Sequence, residues 1–120
     1  MTSADCVAMA VYYEARGESE RGQLAVAHVV LNRAKKYGIS PCKVVKNRNT
    51  FPWYRHISYQ NMKDPKSKAS AIHIAARVKY SEDPTFGATH FHNVKVRPNW
   101  KGYRMTARIG DHKFYKKVKK

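Results

Sequence analysis

The segment ERGQLAVAHVVLNRAKKYG, residues 20 to 38, most constrains what this chain can become. On a helix of 3.6 residues per turn its apolar positions Leu24, Ala27, Val30 and Leu31, joined by Ala25, Val26 and Val29, cover most of the circumference and not one stripe. Such a helix cannot lie on a surface, so the rest of the chain is expected to wrap around it. Ser19 is placed to cap its start and Gly38 to end it. An earlier helix is predicted through CVAMAVYYEAR, with Thr2 or Ser3 as cap, Asp5 in the first turn and Gly17 as terminator. Ser40-Pro41 opens a short helix through CKVVKN, with proline where its missing N–H costs nothing. TFPWYRH cannot be helical at Pro52 and reads as a loop carrying exposed aromatics. From Pro65 to about Tyr80 a further helix is predicted, with Ala69, Ile72, Ala75 and Ala76 as its apolar positions.

After SEDPTFG the periodicity changes. ATHFHNVKV, GYRMTARI and HKFYKKV alternate apolar and polar residues, and Ile109-Gly110-Asp111-His112 supplies a turn between the last two. The expectation is an α+β domain in which helices precede a small antiparallel sheet. No repeat, low-complexity segment or flexible linker divides residues 1–120, so one unit is expected.

Charge bounds the partners. The chain carries 24 Lys and Arg against eight acids, a formal charge of +16, and its field favours polyanions: nucleic acid, anionic lipid or an acidic envelope polymer. No apolar run approaches the roughly 18 residues of a membrane span, and MTSADCVAMAVYYE has no basic leader, so synthesis is expected to end in the cytoplasm. Cys6 and Cys42 lack metal-finger spacing and are read as buried thiols, with a single bridge between them as the alternative.

Three of the eight acids, Glu14, Glu18 and Glu20, lie within VYYEARGESERGQ. Gly17 is expected to break the helix after Glu14, leaving that residue on its last turn. The negative end of the helix dipole disfavours an ionised carboxylate there by about 0.3 to 1 kcal/mol, and burial against Tyr12 or Tyr13 acts the same way. Arg16 and Arg21 are expected to pair with Glu18 and Glu20, leaving Glu14 able to hold a proton. A protonated glutamic acid in a groove is what glycosidic-bond cleavage requires, because the leaving sugar oxygen must receive a proton.

YYEARGESERGQLAVAHVVLNRAKKYG, SPCKVV, TFPW, DPTFGATHFHN and IGDHKFY, in that order, resemble the SleB-type cell wall hydrolases, the family of spore cortex-lytic enzymes and related phage lysins. The resemblance implies a compact lysozyme-like fold similar to lytic transglycosylases and cleavage of peptidoglycan between N-acetylmuramic acid and N-acetylglucosamine. It makes Glu14, the first glutamate of EARGE, the catalytic acid, and suggests Gln23 of Gly22-Gln23 as a groove residue. Glu18, Tyr12, Trp53, His90, His92 and Asn93 are the further candidates for sugar contact, with Trp100 and Tyr103 as additional stacking surfaces. In a transglycosylase the muramic acid C6 hydroxyl attacks the anomeric carbon, so one carboxyl suffices. A hydrolase would need a second, for which Glu18, Glu20 and Asp111 are the nominees.

No cofactor is expected. His90 and His92 share a strand face and, with His112 or His73, form the competing metal reading. A basic nucleic-acid-binding module is the rival from another class, against which stand the missing finger, zipper and ribonucleoprotein motifs. The departure from the spore enzymes, which commonly add an export signal and a separate peptidoglycan-binding domain, favours a monomeric phage endolysin held in the host cytoplasm and released to the wall, its charge drawing it to anionic envelope polymers, with a virion-associated lysin as the alternative.

Overall fold

The computed structural model describes residues 1–47, 51 and 61–118; Trp53, Tyr54 and the last two lysines lie outside them. Helices α1 (Ser3–Ala15), α2 (Glu20–Tyr37), α3 (Pro41–Val45) and α4 (Pro65–Arg77), the last continued by a 3₁₀ turn at Val78–Tyr80, precede strands β1 (His90–Asn93), β2 (Tyr103–Ile109) and β3 (His112–Lys117). The helix ends fall where the capping residues place them. Thr2 Oγ1 accepts the amide of Asp5 at 3.1 Å while Asp5 Oδ2 accepts that of Thr2 at 2.9 Å, a reciprocal capping box. Ser19 caps α2, Gly38 ends it in the left-handed region at φ 64°, and Ser40 caps α3 with Pro41 at its first position.

Helix α2 is enclosed as its sequence requires, with Ala25 through Val30 all buried. The enclosure extends to α1, where every residue from Cys6 to Tyr12 is buried because α2, α3 and α4 surround it. The cysteines are not free thiols: Cys6 and Cys42 form a disulfide that fastens α1 to the start of α3. Their apolar neighbours gave no sign of pairing, since the contact depends on α3 folding back beside α1 across 36 residues.

The buried stripe of α4 also differs from expectation. Ala71, Ile74 and Val78 are buried, whereas Ala69 and Ala76 are exposed and Ile72 is 42% exposed. An alanine buries one methyl group, so Ile74 with the following Val78 decides which face turns inward. Phe51 is a second correction: this loop aromatic is fully buried, 6.2 Å from the ring of Phe91. Burying an aromatic removes a large apolar area from water, enough to draw one loop residue into the core.

The sheet has the order β1-β3-β2, all antiparallel. Phe91 lies opposite Phe114 and stacks on it at 5.9 Å, so Phe51, Phe91 and Phe114 join the sheet to the helices. Alternation sends His90, His92 and Tyr115 to the outer face. Two side chains of α2 secure the approach to β1: Asn32 Nδ2 donates to Asp83 and to the carbonyl of Ala88, and Arg33 Nη1 donates to that of Thr89.

Candidate active site

The turn between α1 and α2 is built by Gly17, whose φ of 88° reverses the chain immediately after the last turn of α1. Glu18 N then donates to Ala15 O at 3.0 Å. Glu14 is half-buried on that last turn. Beside it opens a cavity of about 220 Å³ bounded by Tyr12, Arg16, Glu18 and Gln23, with Ser67 and Ser70 of α4 opposite. Glu14 lies on the same turn but is not part of this lining. Ser67 and Ser70 carried no local sequence signal, because α4 reaches the site only through the packing of the helices.

The acidic neighbours of Glu14 are engaged differently from the expected arginine pairs. Arg16 Nη1 donates to the hydroxyl of Tyr12 at 2.7 Å, and its guanidinium lies 4.8 Å from the centre of that ring. Residues four apart on a helix face each other, so an aromatic at this spacing captures the cation. Glu20 forms its ion pair with Arg77 of α4 at 2.8 Å, on the surface. Glu18 Oε1 accepts the backbone amide of Asp111 at 3.2 Å. It fits there because glycines flank it: a β-carbon on Gly22 would lie 3.1 Å from Glu18 Cβ, and one on Gly110 would collide with the Glu18 carboxylate.

Tyr12 is nearly buried, and its hydroxyl also accepts the amide of Asp64, the cap of α4. Its phenol therefore couples α1 to α4 while its ring borders the cavity. Gln23 Nε2 donates to the Glu18 carbonyl at 3.0 Å, which holds the side chain against the turn.

His90, His92 and Asn93 sit on β1, which meets the α1–α2 turn through Asp111. Glu18 contacts Asp111 from one side, while Val94 N donates to its carbonyl and Asn93 pairs with His112. The outer face of the sheet is aromatic: Trp100 lies 5.6 Å from His90, 5.3 Å from His92 and 5.2 Å from Tyr115. His92 Nδ1 is 2.7 Å from the Asn93 carbonyl, which can only accept, so Nδ1 carries a proton, and Nε2 lies 3.0 Å from the Tyr115 hydroxyl. Burial, aided by the positive charges of Arg33 and Lys36, pushes the pKa of His90 down to about 4. His112 is buried and likewise held below the usual histidine value by desolvation. Among the described residues, no three His, Cys, Asp or Glu side chains converge on a position for a metal ion, and no helix is long and apolar enough to cross a membrane.

The sequence profile of the cell wall hydrolases matches residues 17–115, and the chain belongs to that family. The matched stretch starts three residues after Glu14. Among solved structures, the fold is similar to the catalytic domain of the germination-specific lytic transglycosylase SleB from Bacillus anthracis, with a TM-score of 0.74 and 26% identity over 95% of this chain and 93% of that one. It is similar also to the catalytic domain of the Bacillus cereus SleB protein, with a TM-score of 0.72 and 26% identity over 95% and 89% of the two chains. The α+β order of helices and small antiparallel sheet is thus that of the SleB catalytic domains. No curated protein sequence matches the chain.

Proposed function

We propose that this protein is a peptidoglycan lytic transglycosylase that cleaves between N-acetylmuramic acid and N-acetylglucosamine, with Glu14 as its acid and base. The observation that carries this reading is the likeness, over 95% of the chain, to a lytic transglycosylase catalytic domain. The half-buried position of Glu14 on the last turn of α1, four residues before the Glu18 that docks on Asp111 between β2 and β3, supports its role.

In the first half-reaction the Glu14 carboxyl gives its proton to the glycosidic oxygen as the bond from muramic acid C1 to that oxygen breaks. In the second, the resulting carboxylate takes the proton of the C6 hydroxyl as O6 bonds to C1. A 1,6-anhydro ring closes, the acid is regenerated and no water is consumed. The intramolecular nucleophile supplies the high effective concentration that a bound water would otherwise need. Gln23 and Glu18 border the adjacent cavity, Tyr12 supports it, and His90, His92 and Asn93 extend the contact surface along β1. The surface ion pair of Glu20 with Arg77 supports leaving Glu20 out of the mechanism, and the product analysis below decides whether Glu18 or Asp111 serves as a second carboxylate.

Digestion of purified peptidoglycan followed by mass spectrometry tests both parts. Anhydromuropeptides are expected from the wild type and none from Glu14→Gln, with an unchanged melting temperature. Reducing muramic acid ends would identify a hydrolase instead, and full activity of the variant would remove Glu14 from the mechanism.

We propose further that the protein works as a phage endolysin, made in the host cytoplasm and reaching the wall or periplasm once the membrane is permeabilised. The Cys6–Cys42 disulfide supports action in an oxidising compartment, and the charge of +16 supports attraction to an anionic envelope. Cells producing the protein should lyse only when a membrane-permeabilising agent is added; lysis without one would refute this route.

A further inference from the structure

A second cavity, of about 800 Å³, lies at the far end of the sheet from the Glu18–Asp111 contact. Asp111 and Lys116 are five residues apart, about 17 Å along an extended strand. Among the described residues, four lysines line the cavity: Lys36 from the last turn of α2, Lys101 before β2, and Lys116 and Lys117 at the end of β3, these last two leaving the strand on opposite faces with Lys116 Nζ reaching toward Gly87. Their stems and Val118 supply apolar wall, and no acid, arginine or aromatic side chain is among the described lining residues. The backbone holds the lysines together, since Val118 N donates to Gly102 O at 2.7 Å and Thr89 N to Tyr115 O at 3.0 Å.

Four like charges bordering one concave site, with no acid among its described lining residues, favour an anion between them. The residue types narrow its chemistry. Arginine's planar fork suits carboxylates, whereas lysine is a compact charge with three rotatable donors that can meet phosphates from different directions. The missing aromatic lining leaves nucleobases no stacking platform. A duplex, with its stiff, broad backbone, does not enter a concave site of this size.

We propose that this cavity is a binding site for a flexible polyol-phosphate chain of the envelope, engaged through successive phosphodiesters and distinct from the glycan-cleaving site. The lysine stems and Val118 would pack against the polyol carbons between phosphates.

The test is equilibrium binding of a fluorescent poly(glycerol phosphate) to the intact protein at about 0.15 M salt. Lys101→Gln/Lys116→Gln should weaken binding about 30-fold, roughly fivefold per lysine removed. The equally charged control Lys63→Gln/Lys79→Gln should change it less than about threefold, as distant exposed charges are screened. If the first pair does not fold, Lys36→Gln/Lys117→Gln replaces it. Equal weakening by both pairs would show a response to net charge alone and overturn the site. The same variants are titrated with phosphatidylglycerol vesicles and single-stranded oligonucleotide, and a selective loss seen with either of these but not with poly(glycerol phosphate) would name a different partner and likewise overturn the site. Because the readout is binding, it stands apart from whether Glu14 cleaves glycan.

Discussion

Reducing the Cys6–Cys42 bond should cost this domain much of its stability. The bridge closes a segment of 36 residues, and the chain-entropy relation gives about 13 cal/mol/K, or about 4 kcal/mol at 25 °C, from restriction of the unfolded chain. A domain of this length gains on the order of 250 cal/mol/K on unfolding, so each kcal/mol is worth about 4 °C. The melting temperature should therefore fall by about 15 °C. The structure indicates where the loss is felt: Cys6 is completely buried in α1, and α3 packs against both α1 and α2. Thermal unfolding by circular dichroism, with and without a phosphine reductant, is the assay. Cys42→Ser, at the less buried end of the bridge, should match the reduced wild type and ignore the reductant. An intact mass two hydrogens below the dithiol value checks the bond itself. A shift under about 4 °C in both experiments would refute the reasoning, because a loop of this size cannot be so inexpensive to leave open.

Three further outcomes are expected. Gly110→Ala places a methyl group against the Glu18 carboxylate at φ 56°; it should destabilise the protein by about 1–3 kcal/mol, and by less in a Glu18→Ala background. Identical costs in the two backgrounds, measured by urea unfolding, would mean the contact is absent. Asp83 accepts hydrogen bonds from Thr85, Gly87 and Asn32, so Asp83→Ala, which strands these donors, should cost about 2–4 kcal/mol; a loss below 0.5 kcal/mol counts against that role. His90, held at about 4 against an ordinary 6.5, takes up a proton more readily when unfolded. Its contribution is therefore complete above pH 6.5 and is lost as pH falls toward 4. His90→Phe should show a shallower decline over that interval, and an unchanged slope would exclude His90 as a source.

Much of the candidate site's local geometry was legible because its determinants act over a few residues. EARGE placed Glu14 at a helix end and Gly17 at the reversal, and the alternation of ATHFHN put His90 and His92 on one face, as found. The partners of the charged groups were not legible. Arg16 chose Tyr12 over a carboxylate four residues away in the other direction, and Glu20 found Arg77, 57 positions along the chain.

By itself the sequence determined the order of helices and strands, where the helices start and stop, and the presence of an enclosed central helix, because caps, glycines and hydrophobic period are local hydrogen-bonding and burial effects. Only the tertiary structure decided that Cys6 meets Cys42, that Ile74 and not Ile72 turns inward, that Glu18 docks on Asp111 and that four scattered lysines share one cavity. Those outcomes depend on the summed path of the chain, along which small differences in packing decide which distant groups come within reach.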